Sequence, residues 1–214
     1  MNNKQPFIWS VLSLFRKIAV LLPHKAAVML GGCLGALVPL FTPKKLREAS
    51  ERCARILGIP EKEARRIVEG AYRNFGRSAA EFLRLPVMAS RLDEIMTVYG
   101  EENLREAYEA GKGVMVVTAH LGNWEYAGAW CARHGYPMNA LGADQRDERI
   151  TDLVTDLRNA GGMKALGKAS DLKAMIRALQ AGEIIAIPVD QDAKRAGIVS
   201  PFLGHPASTP VGMA

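Results

Sequence analysis

From about residue 94 onward the sequence alternates short apolar runs with amphipathic, glycine-closed segments, and that rhythm leaves few folds open. Ile95–Tyr99 reads as a strand, Glu101–Ala110 as a helix closed by Gly111, Val114–Ala119 as a strand, and Leu121–Arg133 as a helix closed before Gly135. Met138–Leu141 and Lys164–Leu166 follow as strands. Between them, Glu148–Asn159 reads as a helix with Ile150, Leu153, Val154 and Leu157 on one face. Ser170 is placed to cap a helix over Asp171–Ala181, closed by Gly182, before the isoleucine-rich strand Glu183–Val189. Strands joined through helices lie parallel, so the expected fold class is α/β, a mainly parallel sheet flanked by helices. Ligands of such sheets bind beyond the carboxyl ends of the strands. That rule puts His120, after the strand 114–119, and Asp190-Gln191, after the last strand, on one rim.

Upstream the chain has another character. Glu61–Leu85 is the clearest helix: Ile67, Val68, Ala71, Tyr72, Phe75, Ala79, Phe82 and Leu83 recur at three- and four-residue steps as a wide apolar face, read as core packing, and Pro86 is expected to end it. Lys44–Leu57 reads as a basic helix stopped by Gly58 and Pro60, after a break at Pro39–Pro43. Phe7–Leu22 is apolar but interrupted by Arg16-Lys17, and Ala26–Phe41 is an uncharged run of sixteen residues. A membrane span needs about 20 apolar residues. Both runs are therefore expected to lie in a membrane interface or dip partway into it. Arg16-Lys17 and the lack of a small-x-small cleavage site argue against a signal peptide. The resulting division is membrane-associating helices over 1–43, a helical region over 44–90, and an α/β domain over 91–214.

Charge follows the same division. The net charge is +6, yet residues 1–60 hold nine Lys/Arg against two Glu, a balance of +7, whereas residues 61–214 hold nineteen Lys/Arg against twenty Asp/Glu, a balance of −1. A basic segment that is also the most apolar part of the chain suits an anionic membrane surface. Nucleic acid is disfavoured, because the charges sit between Leu, Val and Phe runs with no aromatic-basic stripe. Cys33, Cys53 and Cys131 are widely spaced and form no C-x-x-C pair, which fits a reducing compartment and suggests neither disulfides nor a zinc site.

The chemistry-bearing pair is His120 and Glu125. An imidazole acting as base needs a group that orients one ring nitrogen and stabilises the imidazolium, and a carboxylate one helical turn on can do this. Gly122-Asn123 permits a tight turn between strand and helix, with Asn123 capping the helix or holding the turn. The helix N-terminus beside them suits a phosphate or a developing oxyanion. Other chemistries lack a motif. There is no H-E-x-x-H, no G-x-S-x-G elbow, no phosphate-binding G-x-x-x-x-G-K-[ST] loop and no G-x-G-x-x-G after a strand. No metal or cofactor is therefore expected, and Cys131, mid-helix without a basic activator, reads as core.

His120-Leu-Gly-Asn-Trp-Glu125 resembles the active-site motif of the late acyltransferases of lipid A biosynthesis, the lauroyl/myristoyl transferase family. Arg73-Asn74-Phe-Gly-Arg-Ser-Ala-Ala-Glu81-Phe resembles the helix that precedes its catalytic domain. Arg158 and Lys168–Gly182 resemble the middle. Val189-Asp190-Gln191, Val199-Ser-Pro-Phe-Leu-Gly204 and Ala207-Ser-Thr209 resemble its D-Q and P-F-F-G-x-x-A-x-T segments. The resemblance implies a glycerolphosphate-acyltransferase-like fold and an acyl transfer without a covalent acyl-enzyme. His120 would be the general base that activates a hydroxyl of a glycolipid, a lipid A precursor, and Glu125 its orienting partner. The donor would be a fatty acyl thioester on acyl carrier protein. Asn123, Arg158, Lys168, Asp190 and Gln191 would contact substrate. Such an enzyme is expected on the cytoplasmic face of the inner membrane. Family members continue further, so the chain is expected to lack a C-terminal part. Two alternatives stay open: an acceptor such as phosphatidylinositol mannoside, and a non-enzymatic membrane-associated homologue, against which the intact pair counts.

Overall fold

The computed structural model of the protein describes residues 5–142, 145–168 and 172–210. In chain order its elements are α1 (Gln5–Leu21), α2 (His24–Phe41), α3 (Pro43–Leu57), α4 (Glu61–Leu83), α5 (Leu85–Met88), α6 (Glu101–Glu109), β1 (Val114–Thr118), α7 (Trp124–Arg133), β2 (Met138–Gly142), α8 (Glu148–Ala160), β3 (Lys164–Lys168), α9 (Leu172–Gln180), β4 (Ile184–Pro188), β5 (Ile198–Phe202) and β6 (His205–Thr209). They form two compact units, one of residues 1–20 and 82–188 and one of residues 21–81 and 189–214.

The first unit carries the expected parallel sheet, in the order β1-β4-β2-β3. The last strand fills the gap between the first two, with Ile184 level with both Val114 and Met138. Its sequence suits a central strand: Ile184 and Ile185 have no exposed surface, and each contributes about 1.5–3 kcal/mol by burial. One layer of core packs Leu85, Met88 and Leu92 against Tyr126, Trp130 and Met138. A smaller cluster joins Leu83, Leu153 and Leu157 to Trp9, Leu12 and Phe15 of α1. The buried Arg84 donates to the carbonyls of Ala19 and Val20, which supplies partners for the end of α1. The opposite face of α1 leaves Phe7, Val11, Leu14 and Ile18 exposed.

Two local expectations fail here, and a third is not described. Residues 95–99 are not a strand. The run does not pair with β1 at the edge of the sheet, and of its residues only Met96 packs against the core. Pro86 does not simply end a helix: it sits in the first turn of α5, where its missing N–H costs nothing. The cap expected at Ser170 lies outside the described residues.

The second unit packs α2, α3 and α4 with the β5–β6 hairpin. α2 and α4 touch backbone to backbone: a Cβ on Gly76 would strike Gly31 O and lie 2.9 Å from Gly35 Cα. This glycine contact, not the wide apolar stripe, decides which face of α4 is covered. Ile67 and Phe75 of the stripe are 47% and 65% exposed, while Ala64 and Ala80 are buried. α2 runs 18 residues, about 27 Å at 1.5 Å per residue, and by length and composition is apolar enough to cross a membrane. It is thus longer than the sixteen-residue run suggested, because His24 and Lys25 start the helix. The β5–β6 hairpin was not legible in the sequence. Its turn is Leu203-Gly204 with φ of 51° and 77°, a conformation that Asn-Gly signals and Leu-Gly does not.

Candidate active site

Strand β1 ends with Thr118 level with Pro188 of β4, so the chain emerges at the carboxyl rim of the sheet just before His120. Two turn devices then redirect it. Gly122 adopts φ +61°, in the left-handed region that costs other residues about 1 kcal/mol or more. Asn123 caps α7, its Oδ1 accepting from Tyr126 N at 3.0 Å. The helix therefore starts at Trp124, three residues later than the apolar pattern suggests. Glu125 stands in its first turn, where the helix dipole favours a carboxylate.

His120 is exposed and Glu125 is buried at 8% exposure. A carboxylate so placed needs a partner. Arg158 provides it as a two-pronged clamp, Nη2 donating to Oε1 at 2.7 Å and Nε to Oε2 at 3.0 Å. The remaining amino group of Arg158 reaches Leu141 O at 3.4 Å. Gly142 makes room for it: a Cβ there would lie 2.7 Å from Arg158 Nη1. Trp124 links this pair to the histidine. Its Nε1 donates to Glu125 Oε1 at 3.2 Å, and its ring meets His120 edge-on with centroids 4.8 Å apart.

Among the residues singled out in the sequence, the structure thus joins Glu125 to Arg158, puts His120 against Trp124, and gives Asn123 the capping role. Arg158, expected to meet substrate, spends its guanidinium on Glu125. The backbone of Lys168 pairs with Gly142 at the end of β3, and its side chain lies outside what the structure describes. Asp190 and Gln191 are exposed and belong to the second unit. Trp124 and Gly142 carry parts of the site that sequence reasoning missed. Trp124 stood inside the quoted motif, and an indole N–H next to a carboxylate was the available signal. Nothing local marked Gly142. Cys131 packs against the core as expected, and burial pushes its thiol up to about 11, so it stays protonated near neutral pH.

The sequence has recognisable relatives. A family model described as bacterial lipid A biosynthesis acyltransferase matches residues 3–214. The phosphatidylinositol mannoside acyltransferase of Mycobacterium tuberculosis (strain CDC 1551 / Oshkosh) is 26% identical over 182 residues, covering 80% of this chain and 56% of that protein. The Mycolicibacterium smegmatis protein of the same name is 25% identical over 178 residues, covering 80% and 58%. The lipid A biosynthesis palmitoleoyltransferase of Escherichia coli (strain K12) is 28% identical over 189 residues, covering 83% and 58%. The chain therefore spans less than two thirds of the length of these relatives.

Proposed function

This chain belongs to the bacterial lipid A biosynthesis acyltransferase family, and we propose that the protein transfers a fatty acyl chain from a thioester to a hydroxyl of a lipid A precursor, with His120 as general base. The observation that carries this reading is an exposed imidazole at the carboxyl rim, followed by a turn that sets a buried, Arg158-clamped carboxylate at the start of the next helix. His120 takes the proton of the acceptor hydroxyl as its oxygen attacks the thioester carbonyl carbon. The tetrahedral intermediate then expels the thiolate, which takes the proton back from the imidazolium. Glu125 supplies the negative charge that favours the imidazolium, and Trp124 transmits its position to the ring. Arg158 holds the Glu125 carboxylate in place, as a positioning residue. The amino end of α7 favours the oxyanion of the intermediate. Leu121, an apolar side chain 83% exposed next to His120, suits an acyl chain at the rim.

The donor in this proposal is acyl carrier protein carrying the thioester, and Lys168, Asp190 and Gln191 are proposed to contact substrate. The protein is proposed to work on the cytoplasmic face of the inner membrane. The apolar α2 and the exposed apolar face of α1 support a membrane surface. A second acceptor, phosphatidylinositol mannoside, is favoured by one specific observation: the mycobacterial relatives match at nearly the same identity as the Escherichia coli one. Mass spectrometry of lipid products tests the whole reading, with defined acyl thioesters of acyl carrier protein or coenzyme A and each acceptor. Acylated lipid A precursor formed from acyl carrier protein is the expected product. A product only with the mannoside replaces the acceptor, and no product with any combination overturns the reading.

A further inference from the structure

A second cationic feature lies in the helical unit, away from the rim residues in sequence and unused by the proposed reaction. Between α2 and α4 runs a groove of about 550 Å³ lined by His24, Lys25, Arg73 and Arg77 on its polar side and by Val28 and Met29 among its apolar residues. No carboxylate lines it among the described residues. The neighbouring groove of α2–α4 differs in this respect, since Glu61 and Glu69 line it and Glu69 pairs with Arg65 at 2.9 Å. Gly32 forms part of the wall: a Cβ there would lie 3.1 Å from Arg77 Cγ and Nε and 3.5 Å from Arg73 Cγ, so both arginine stems lie against bare backbone. The groove also holds the amino end of α2, which has no acid in its first turn and no side-chain cap. His24 Nδ1 is buried without a hydrogen-bond partner among the described residues.

We propose that this groove binds an anionic phospholipid, with the phosphate held by Lys25, Arg73 and Arg77 and an acyl chain laid along Val28 and Met29. Cations without acids select an anion, and the guanidinium fork suits phosphate oxygens. The apolar wall selects a lipid over free phosphate, because Met29, 67% exposed, gains nothing from an inorganic ion. This site does not depend on the rim chemistry, and its test needs no catalysis.

The full chain is sedimented with phosphatidylcholine vesicles and with vesicles containing phosphatidylglycerol, without glycolipid or acyl donor. Preference for phosphatidylglycerol is expected. R73Q/R77Q should weaken that binding by about thirtyfold, while K44Q/R47Q, which removes the same charge from α3, should weaken it by less than about threefold. Gly32→Leu should also weaken it, by filling the groove at unchanged charge. Equal losses in the two charge-removed variants would mean diffuse surface attraction and overturn the site. Wild-type binding by folded Gly32→Leu would overturn occupancy of the groove. If Gly32→Leu does not fold, the two double variants decide. A short-chain phosphatidylglycerol should compete with vesicles at concentrations where inorganic phosphate does not, and equal competition by phosphate would overturn the lipid assignment.

Discussion

Two carboxylates sit at opposite ends of the same parallel sheet, and their surroundings differ in kind. Glu183 precedes β4 at the amino end. It accepts from Asn139 Nδ2 at 2.8 Å and from Lys164 Nζ, and these bonds, the lysine's first, hold its carboxyl below the usual carboxylate range. All three residues knit β2, β3 and β4 together, and Asn139 also bonds Ile184 O at 3.1 Å. Glu125, at the carboxyl end, is bonded just as fully but stands one turn of chain after an exposed histidine. The amino end closes on itself, and the carboxyl end leaves an imidazole facing out. Similar ion pairs thus serve cohesion at one end and, in the proposed reaction, the positioning of a base at the other.

That contrast can be broken by substitution, and the largest effect is expected at His120. His120→Ala should lower acyl transfer by about 10²–10⁴-fold and leave the melting temperature within a degree or two, as read by product formation and calorimetry. A large loss of stability would make His120 structural. Next is Arg158→Met, which leaves the Glu125 charge buried and should cost about 3–5 kcal/mol in denaturant unfolding. The double variant E125Q/R158M should recover part of that loss, and a double-mutant cycle with no coupling would show that the clamp is not energetically real.

At the amino end, Glu183→Gln should cost about 1–2 kcal/mol while activity per folded molecule stays near wild type. Its pH dependence follows from the depressed carboxyl. The stabilisation is fully present above the unfolded value of about 4.3 and is lost as pH falls through the lower folded value. Wild type and Glu183→Gln should therefore converge in stability at acid pH, and a constant gap would refute the linkage. The smallest effect is expected for Trp124→Phe, which keeps the edge contact with His120 but removes the donor to Glu125. It should cost about 1 kcal/mol or less and reduce turnover a few-fold, with binding of substrate unchanged.

The alternation of apolar runs was enough to read four of the six strands among the described residues and the parallel sheet, because strand–helix crossovers constrain topology strongly. The false strand over 95–99 and the missed hairpin have one cause. Strand formation needs a neighbour, and neither a run of Ile-Met-Thr-Val-Tyr nor a Leu203-Gly204 turn announces whether one exists. On α4 the periodicity found a stripe but not its covered side, since the contact with α2 is made through Gly31, Gly35 and Gly76. Asn123 and Gly122 were readable because caps and left-handed turns are local.

The sequence by itself therefore determined what depends on neighbours within a few residues. It set the order of strands and helices, the turn after β1, and the presence of a histidine and a carboxylate five residues apart. Only the tertiary structure decided that Arg158, thirty-three residues further on, spends its charge on Glu125 and that Gly142 leaves space for it. A buried carboxylate takes whichever cation the packing brings within reach, and spacing along the chain does not say which one that is.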